Sequence, residues 1–404
     1  MTDGSARKPW QRHELTYCSN VHPAETYAAL NAVVAEFVRA VRQRRGLDSM
    51  GAGLWINHSV ASELLDQPEK LHQFHGLLTD SQIDLFALNG FPYGDFHAGT
   101  VKEHVYTPDW SESSRLLYTQ QLAEILAYCL PDNVAEGTIS TLPLGFRHGW
   151  NTQKHSAAMD ALCKLANFLE NLHHRTGRSI RVCLEMEPDC VLETTDELVH
   201  FFQNQLPETA AALGIRKQAL SEYLGICFDV CHQAVMFEHC GDSLSRIAAA
   251  GIAIGKIQIS SALSVAQPVR HQARQALAAF AEPKYLHQVR TLIGQRLAGV
   301  LDLPLALTEN GLADGHPWHI HFHVPIQTAI LAQAELGTTQ AAILETLDFL
   351  KNNTRHRPHI EVETYTWQVL PITLRPQSDS DLIEGLSDEL GWLEMEMYKR
   401  GLVQ

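Results

Sequence analysis

The chain reads as a TIM-type (β/α)8 barrel in the α/β class, and three observations predict it. Eight strand-length runs rich in β-branched and aromatic residues alternate with stretches of helical periodicity. Neither a second composition regime nor a Gly/Ser linker divides the 404 residues, a length that suits one large barrel. Most of the strand-like runs end in a carboxylate, imidazole or amide, and barrel chemistry gathers at strand carboxyl ends. The main rival, a doubly wound open sheet, loses its best support because no GxGxxG follows the first run and no Walker-type loop occurs. We therefore expect one domain over 1–404, with the barrel core at about 14–370 and a helical C-terminal extension at about 376–404.

Taken in order, Leu15-Thr-Tyr-Cys-Ser-Asn20-Val-His22-Pro is the first strand, and Pro23 opens a helix with Ala29, Val33, Phe37 and Val41 at helical spacing. Gly53-Leu-Trp-Ile-Asn57-His58 is the second strand, followed by a helix over 64–78, and Asp84-Leu-Phe-Ala-Leu-Asn89 is the third. A long loop then breaks the rhythm, carrying Tyr93, Lys102, Tyr106 and Trp110; loops of this length and composition are functional or mobile. A helix over 114–130 leads to the fourth strand from Thr138. A helix over 156–174, with Leu162, Leu165, Phe168 and Leu172 on one stripe, leads to the fifth, Ile180-Arg-Val-Cys-Leu-Glu185-Met-Glu187. Thr194 or Thr195 caps the next helix. Leu224-Gly-Ile-Cys-Phe-Asp229 is the sixth strand, with His232 three residues on, and Ile254-Gly-Lys-Ile-Gln258 is the seventh. About a hundred residues from Ala262 then form an insertion holding Trp318-His-Ile-His321-Phe-His323, before the eighth strand, His359-Ile-Glu361-Val-Glu363.

Charge and cysteine usage narrow the function. With 31 Lys and Arg against 46 Asp and Glu the formal charge is −15, which argues against a nucleic-acid backbone or an anionic membrane surface as the main partner. The apolar runs fall far short of the ~20 residues that span a bilayer and the N-terminus lacks a secretory segment, so a cytoplasmic protein is expected. The 8 cysteines show no CxxC spacing and read as small buried hydrophobes in a reducing compartment.

The chemistry converges on four consecutive strands. Glu187, Asp229 with His232, Gln258 and Glu363 stand at the ends of strands five to eight, whose mouths meet in a closed barrel. That mostly oxygen set suits one divalent ion, Mn, Mg or Zn, rather than a thiol-selected metal. A buried Asp at position 229 that merely caps the next helix accounts for that residue alone, but not for four adjacent strands ending in the same way. Strand alternation puts Glu185 with Glu187, and Glu361 with Glu363, and the member nearer the carboxyl end is expected at the mouth. Glu187 and Glu363 then serve both as ligands and as the catalytic acid/base pair. His22, His58, Lys102, His321 and His323 are candidate substrate contacts, and Tyr93, Tyr106, Trp110, Tyr365 and Trp367 candidate apolar walls. His319, His321 and His323 share one strand face, and either face is open to them.

This layout resembles the xylose-isomerase-like barrels, which include sugar isomerases, keto-sugar 3-epimerases and endonuclease IV relatives. The resemblance implies a divalent ion at the mouth and a substrate-binding role for Glu193, six residues beyond Glu187. Gln258 stands where those epimerases carry His. More narrowly, Leu15-Thr-Tyr-Cys-Ser-Asn-Val-His-Pro, Asn89-Gly-Phe-Pro-Tyr-Gly, Val105-Tyr-Thr-Pro-Asp-Trp, Leu184-Glu-Met-Glu-Pro, His321-Phe-His-Val-Pro and Glu363-Thr-Tyr-Thr-Trp resemble the EboE-type metabolite-traffic proteins. That likeness implies a cyclitol or polyol metabolite and a functional link to a membrane prenyltransferase. Two readings are open: a metal-dependent isomerase or epimerase acting on a sugar, polyol or cyclitol, and a non-catalytic carrier that uses the same pocket in an export pathway. A carrier tolerates amides at positions 187 and 363; an enzyme does not. Phosphodiester hydrolysis on DNA would need a basic crescent that the chain lacks.

Overall fold

A computed structural model describes residues 9–97, 99–331 and 335–404. The strands are β1 (Thr16–Tyr17), β2 (Met50–Trp55), β3 (Ile83–Asn89), β4 (Glu136–Thr141), β5 (Ser179–Glu185), β6 (Leu224–Asp229) and β7 (Ile254–Ile259), then β8 (Ala262–Val265), β9 (Val289–Ile293), β10 (Arg296–Val300), β11 (Trp318–His323), β12 (Gly337–Thr338) and β13 (His359–Val362). Strands β1 to β7 and β13 form one parallel sheet in the order β1-β13-β7-β6-β5-β4-β3-β2. A parallel bridge between Cys18 and Gly53 brings the two edges together, so the barrel predicted from the alternating pattern is present.

Local sequence explains the punctuation. The helix Thr152–Thr176 starts where the Asn151 side chain accepts from the Lys154 N–H and stops at Gly177, whose φ of 73° suits a residue without Cβ. The expected helix over 64–78 is two helices, His58–Asp66 and Pro68–Asp80, because Pro68 has no N–H to continue the first and instead opens the second. Inside the barrel Gly53 leaves room for a carboxylate: a Cβ there would stand 1.3 Å from Glu361 Oε2. Among the described residues no helix is long and apolar enough to cross a membrane. All eight cysteines are buried and free, as their spacing predicts.

The insertion folds as an antiparallel sheet in the order β10-β9-β11-β8-β12, accompanied by the helices His271–Ala278, Leu303–Ala306 and Gln340–Asn352. In β11 the residues Trp318, Ile320 and Phe322 are fully buried, with Phe322 edge-on to Phe280 at 5.1 Å, which turns the three histidines to the opposite face, toward the barrel. The loop after β3 meets this sheet across the mouth. Val101 and Lys102 N–H groups both donate to the Lys284 carbonyl, at 2.8 and 3.0 Å, and Lys102 Nζ lies 2.6 Å from Asp302 Oδ2. The C-terminal helix Asp379–Tyr398, capped by Ser378, buries Leu382, Leu386, Leu390 and Leu393. Its buried Glu389 accepts from Ile326 N, Thr364 Oγ1 and Trp367 Nε1 at 3.1, 2.6 and 3.0 Å, tying the segments after β11 and β13 to one carboxylate. Trp367 is thereby committed to that helix.

Candidate metal centre at the barrel mouth

Three carboxylates crowd the carboxyl ends of β5, β6 and β13. Oxygens of Glu185, Asp229 and Glu363 lie within 4.8 Å of one another, all buried. Asp229 does cap the helix Val230–Val235: its Oδ1 accepts from His232 N at 2.9 Å and Ser260 Oγ at 2.8 Å. That leaves Asp229 Oδ2 buried with no partner among the described residues, as is Glu185 Oε2. Glu363 is held by three amides, Asn20 Nδ2 at 2.7 Å, Asn89 Nδ2 at 3.2 Å and Gln258 Nε2. Burial and then mutual repulsion push Glu185 and Glu363 well above the usual carboxylate range.

Three imidazoles face this cluster. His232 Nδ1 lies 2.8 Å from the Met186 carbonyl, His323 Nδ1 2.8 Å from the Glu363 carbonyl, and His321 Nδ1 2.7 Å from Gln288 Oε1. The amide of Gln288 is oriented by its own N–H bonds to Tyr106 Oη at 3.0 Å and the Pro188 carbonyl at 3.1 Å. Each Nδ1 therefore carries a proton, and in the neutral ring Nε2 is left with the lone pair. The Nε2 atoms of His232 and His321 stand 3.1 Å apart, and that of His323 is buried without a partner among the described residues. Two facing lone pairs repel, and buried carboxylate oxygens without donors are costly. A divalent cation relieves both, so these residues fit one.

Glu187 lies beside the carboxylate cluster. Tyr106 Oη donates to its Oε1 at 2.7 Å, and its ligand oxygen groups with His232 and His321. Burial raises it to about 7, with His232 and the Tyr106 hydrogen bond pulling the other way. The cavity above, with its opening to solvent, holds about 520 Å³ of atom-free space. Glu185, Glu187, His232, His321 and Glu363 form its polar floor, and Phe91, Phe96, Tyr285 and Tyr365 its aromatic wall.

The predicted residues divide cleanly by position. Glu187, Glu363, His232, Lys102, Tyr106, His321 and Tyr365 line the cavity, while Asp229 and His323 lie beneath it among the ligand groups. Gln258 is adjacent but offers no free oxygen: its amide N–H goes to Glu363, and its Oε1 lies 2.7 Å from Cys227 Sγ. It positions Glu363 rather than presenting a ligand. Glu193 faces the other way, accepting from Asp189 N at 2.8 Å and pairing with Arg147 at 3.4 Å. His22 stacks on Phe37 at 4.3 Å and lies 3.0 Å from Tyr17 Oη, and His58 stacks on Tyr93 at 4.2 Å. Trp110 is fully buried with its N–H on the Leu142 carbonyl at 3.2 Å. Neither Glu193 nor His22, His58, Tyr93 or Trp110 belongs to the cavity lining. Glu185 joins Glu187 at the mouth because the strand expected to run on to Glu187 stops at Glu185, and the chain turns at Asp189, φ 64°. Asn20 and Asn89 are legible as strand-end amides. Nothing in the sequence marks Gln288.

No family model and no curated protein matches the chain. Among solved structures, a xylose isomerase domain protein from Planctomyces limnophilus is similar over 96% of this chain and 99% of its own, at 12% identity and a TM-score of 0.49. D-allulose 3-epimerase from Methylomonas sp., in complex with D-allulose, is similar over 97% and 99%, at 11% identity and a TM-score of 0.49. An L-ribulose 3-epimerase is similar over 96% and 95%, at 10% identity and a TM-score of 0.49. Likenesses of that strength carry no functional argument, and the function rests on the geometry of the mouth.

Proposed function

We propose that the protein is a divalent-metal-dependent isomerase or epimerase acting on a sugar, polyol or cyclitol. The observation that carries this reading is the convergence of unpartnered carboxylate oxygens and imidazole lone pairs on a cavity that also holds Glu187, raised by burial to about 7. Asp229, Glu185 and Glu363, with His232, are the residues that would hold the ion. When bound, it stabilises negative charge on a substrate oxygen as the neighbouring C–H proton leaves. Glu187, balanced between its two protonation states near neutral pH, accepts or returns that proton at the oxygen not engaged by Tyr106. Glu363, fixed by Asn20, Asn89 and Gln258, is its counterpart across the floor. The aromatic wall accepts the apolar face of a ring and keeps water from the reacting carbon. A cyclitol in particular is favoured by the sequence likeness to EboE-type proteins.

Elemental mass spectrometry of wild type, Asp229→Ala and Glu363→Gln tests the ion, with a polyol and keto-sugar turnover screen as the second step. The expected result is stoichiometric Mn, Zn or Mg, lost in Asp229→Ala, with turnover lowered ~10²–10⁴-fold in Glu363→Gln. A wild type that stays metal-free after incubation with each ion overturns the mechanism. Polyol binding that survives in Glu187→Gln/Glu363→Gln, without turnover by wild type, identifies a carrier instead.

A further inference from the structure

We infer that the amino-terminal end of the barrel, opposite the mouth, carries a binding site of its own, for a small organic anion of the type of a phosphate monoester with an apolar substituent. The cavity there holds about 1680 Å³ of atom-free space, including its opening to solvent, and is bordered by the first residues of four strands, Glu136, Ser179, Ile254 and His359. In a chain of net charge −15, three arginines (Arg181, Arg355 and Arg357) stand around it against two glutamates (Glu14 and Glu136), with His13, His356 and His359 beside them. A concave lining of positive sign draws anions that the rest of the surface repels. The inference is independent of the metal reading of the mouth.

The strands at this end are shaped around charged and aromatic side chains. Arg181 on β5 crosses Gly225 on β6 and Gly255 on β7, where a Cβ would stand 3.0 and 2.8 Å from its Cδ, and Phe86 on β3 lies against Gly51 on β2. The Arg181 charge is already answered, since its Nε and Nη2 donate to the two Glu136 oxygens at 3.0 and 2.9 Å. Arg357 pairs with Glu14 and lies over the Trp10 ring, 5.3 Å from its centroid. Arg355 is the excess cation: it donates from Nε to His356 Nε2 at 3.1 Å and makes no ion pair among the described residues. Two polar groups deeper in the cavity also lack partners. Thr138 is 3% exposed, and its buried Oγ1 has no hydrogen bond among the described residues. His359 engages Thr16 Oγ1 through Nε2 at 2.9 Å and makes no hydrogen bond through Nδ1 among the described residues. A buried hydroxyl without a partner is costly, and a ligand at this spot supplies one. A tetrahedral oxyanion offers acceptors to a guanidinium, an imidazole and a hydroxyl together, while Phe86 and Trp10 line the same cavity with apolar surface.

The test is isothermal titration calorimetry of the chelator-stripped full-length protein in phosphate-free, low-salt buffer, with phenyl phosphate as the probe and phenol as its uncharged counterpart. Wild type should bind one equivalent of phenyl phosphate, at least about tenfold more tightly than phenol. Arg355→Ala, at an exposed position that does not threaten the fold, should weaken binding at least about tenfold, and Thr138→Val, which conserves volume, about threefold or more. Where Thr138→Val loses near-UV dichroism, Thr138→Ala replaces it with the same expected result. Glu187→Gln/Glu363→Gln, altered only at the mouth, should bind as wild type does. Binding that is lost in the mouth variant and kept in Arg355→Ala places the anion at the other end and overturns the inference. Absence of saturable uptake by wild type, or equal affinity for phenol, overturns it too. None of these outcomes alters the metal content expected of the mouth.

Discussion

Two levels of the same barrel handle buried charge in opposite ways. At the lower level Lys256 on β7 lies 2.5 Å from Glu361 on β13, and Thr16 Oγ1 donates to the other Glu361 oxygen at 3.2 Å. Burial works against that carboxylate, but Lys256 outweighs it and holds Glu361 down to about 2. Two residues further along the same strands the lysine is replaced by Gln258 and the carboxylate is Glu363, which burial and Asp229 push upward. The lower level carries its own cation and is closed. The upper level gathers carboxylates and lone pairs, and the lysines near it are already paired, Lys102 with Asp302 and Lys256 with Glu361, a shortage that suits it to an external cation.

The largest expected effect breaks the lower level. Lys256→Met leaves Glu361 buried and unpaired and should cost ~3–5 kcal/mol in urea unfolding, whereas Lys256→Met with Glu361→Leu should recover most of it. A loss in the single variant no greater than in the double variant would erase the contrast between levels.

The pH dependence of metal-free stability sharpens it. Glu361, depressed from 4.5 to about 2, contributes stability present above pH 4.5 and lost as pH falls toward 2. Glu187, raised from 4.5 to about 7, contributes stability present below pH 4.5 and lost as pH rises through 7. Within the summed pH dependence of all the buried groups, Glu361 therefore supplies a lower limb and Glu187 an upper limb of roughly 3 kcal/mol each. Saturating divalent ion should flatten the upper limb, and Glu187→Gln should shrink it. Urea titrations across pH 3 to 8 read both; an upper limb that persists unchanged with metal counts against a cation at the mouth.

The smallest effect concerns the roof of the upper level. Lys102→Ala removes the pairing with Asp302, whose partners are 20% and 15% exposed, so the stability change should stay within ~1 kcal/mol. Hydrogen exchange at Val101 and Lys102 N–H, both bonded to the Lys284 carbonyl, should accelerate severalfold. Unchanged exchange would mean that the backbone bonds alone hold the loop on the insertion.

Much of this is legible in the residues. Strand-length apolar runs such as Leu224–Asp229, separated by helical stripes such as Leu162, Leu165 and Leu172, dictate a barrel because each strand must be covered on both faces. The polar ends of those runs locate the mouth and name Asp229, His232, Glu187 and Glu363. The contacts expected of His22, His58, Tyr93, Trp110 and Glu193 are not made at the mouth because residue type and loop membership do not say which packing partner a side chain meets. Phe37, the His58–Tyr93 stack, the Leu142 carbonyl and Arg147 claim them instead.

What the sequence determined by itself was the set of strands, their polarity and the chemistry delivered to their ends, since alternation with period two sorts side chains into faces. Only tertiary structure decided what each face meets. It ended β5 at Glu185, turned Gln258 toward Glu363, and buried Trp318, Ile320 and Phe322 so that His321 and His323 joined His232. Those outcomes depend on contacts between residues as many as 105 positions apart, and a local periodicity carries no information about its distant partner.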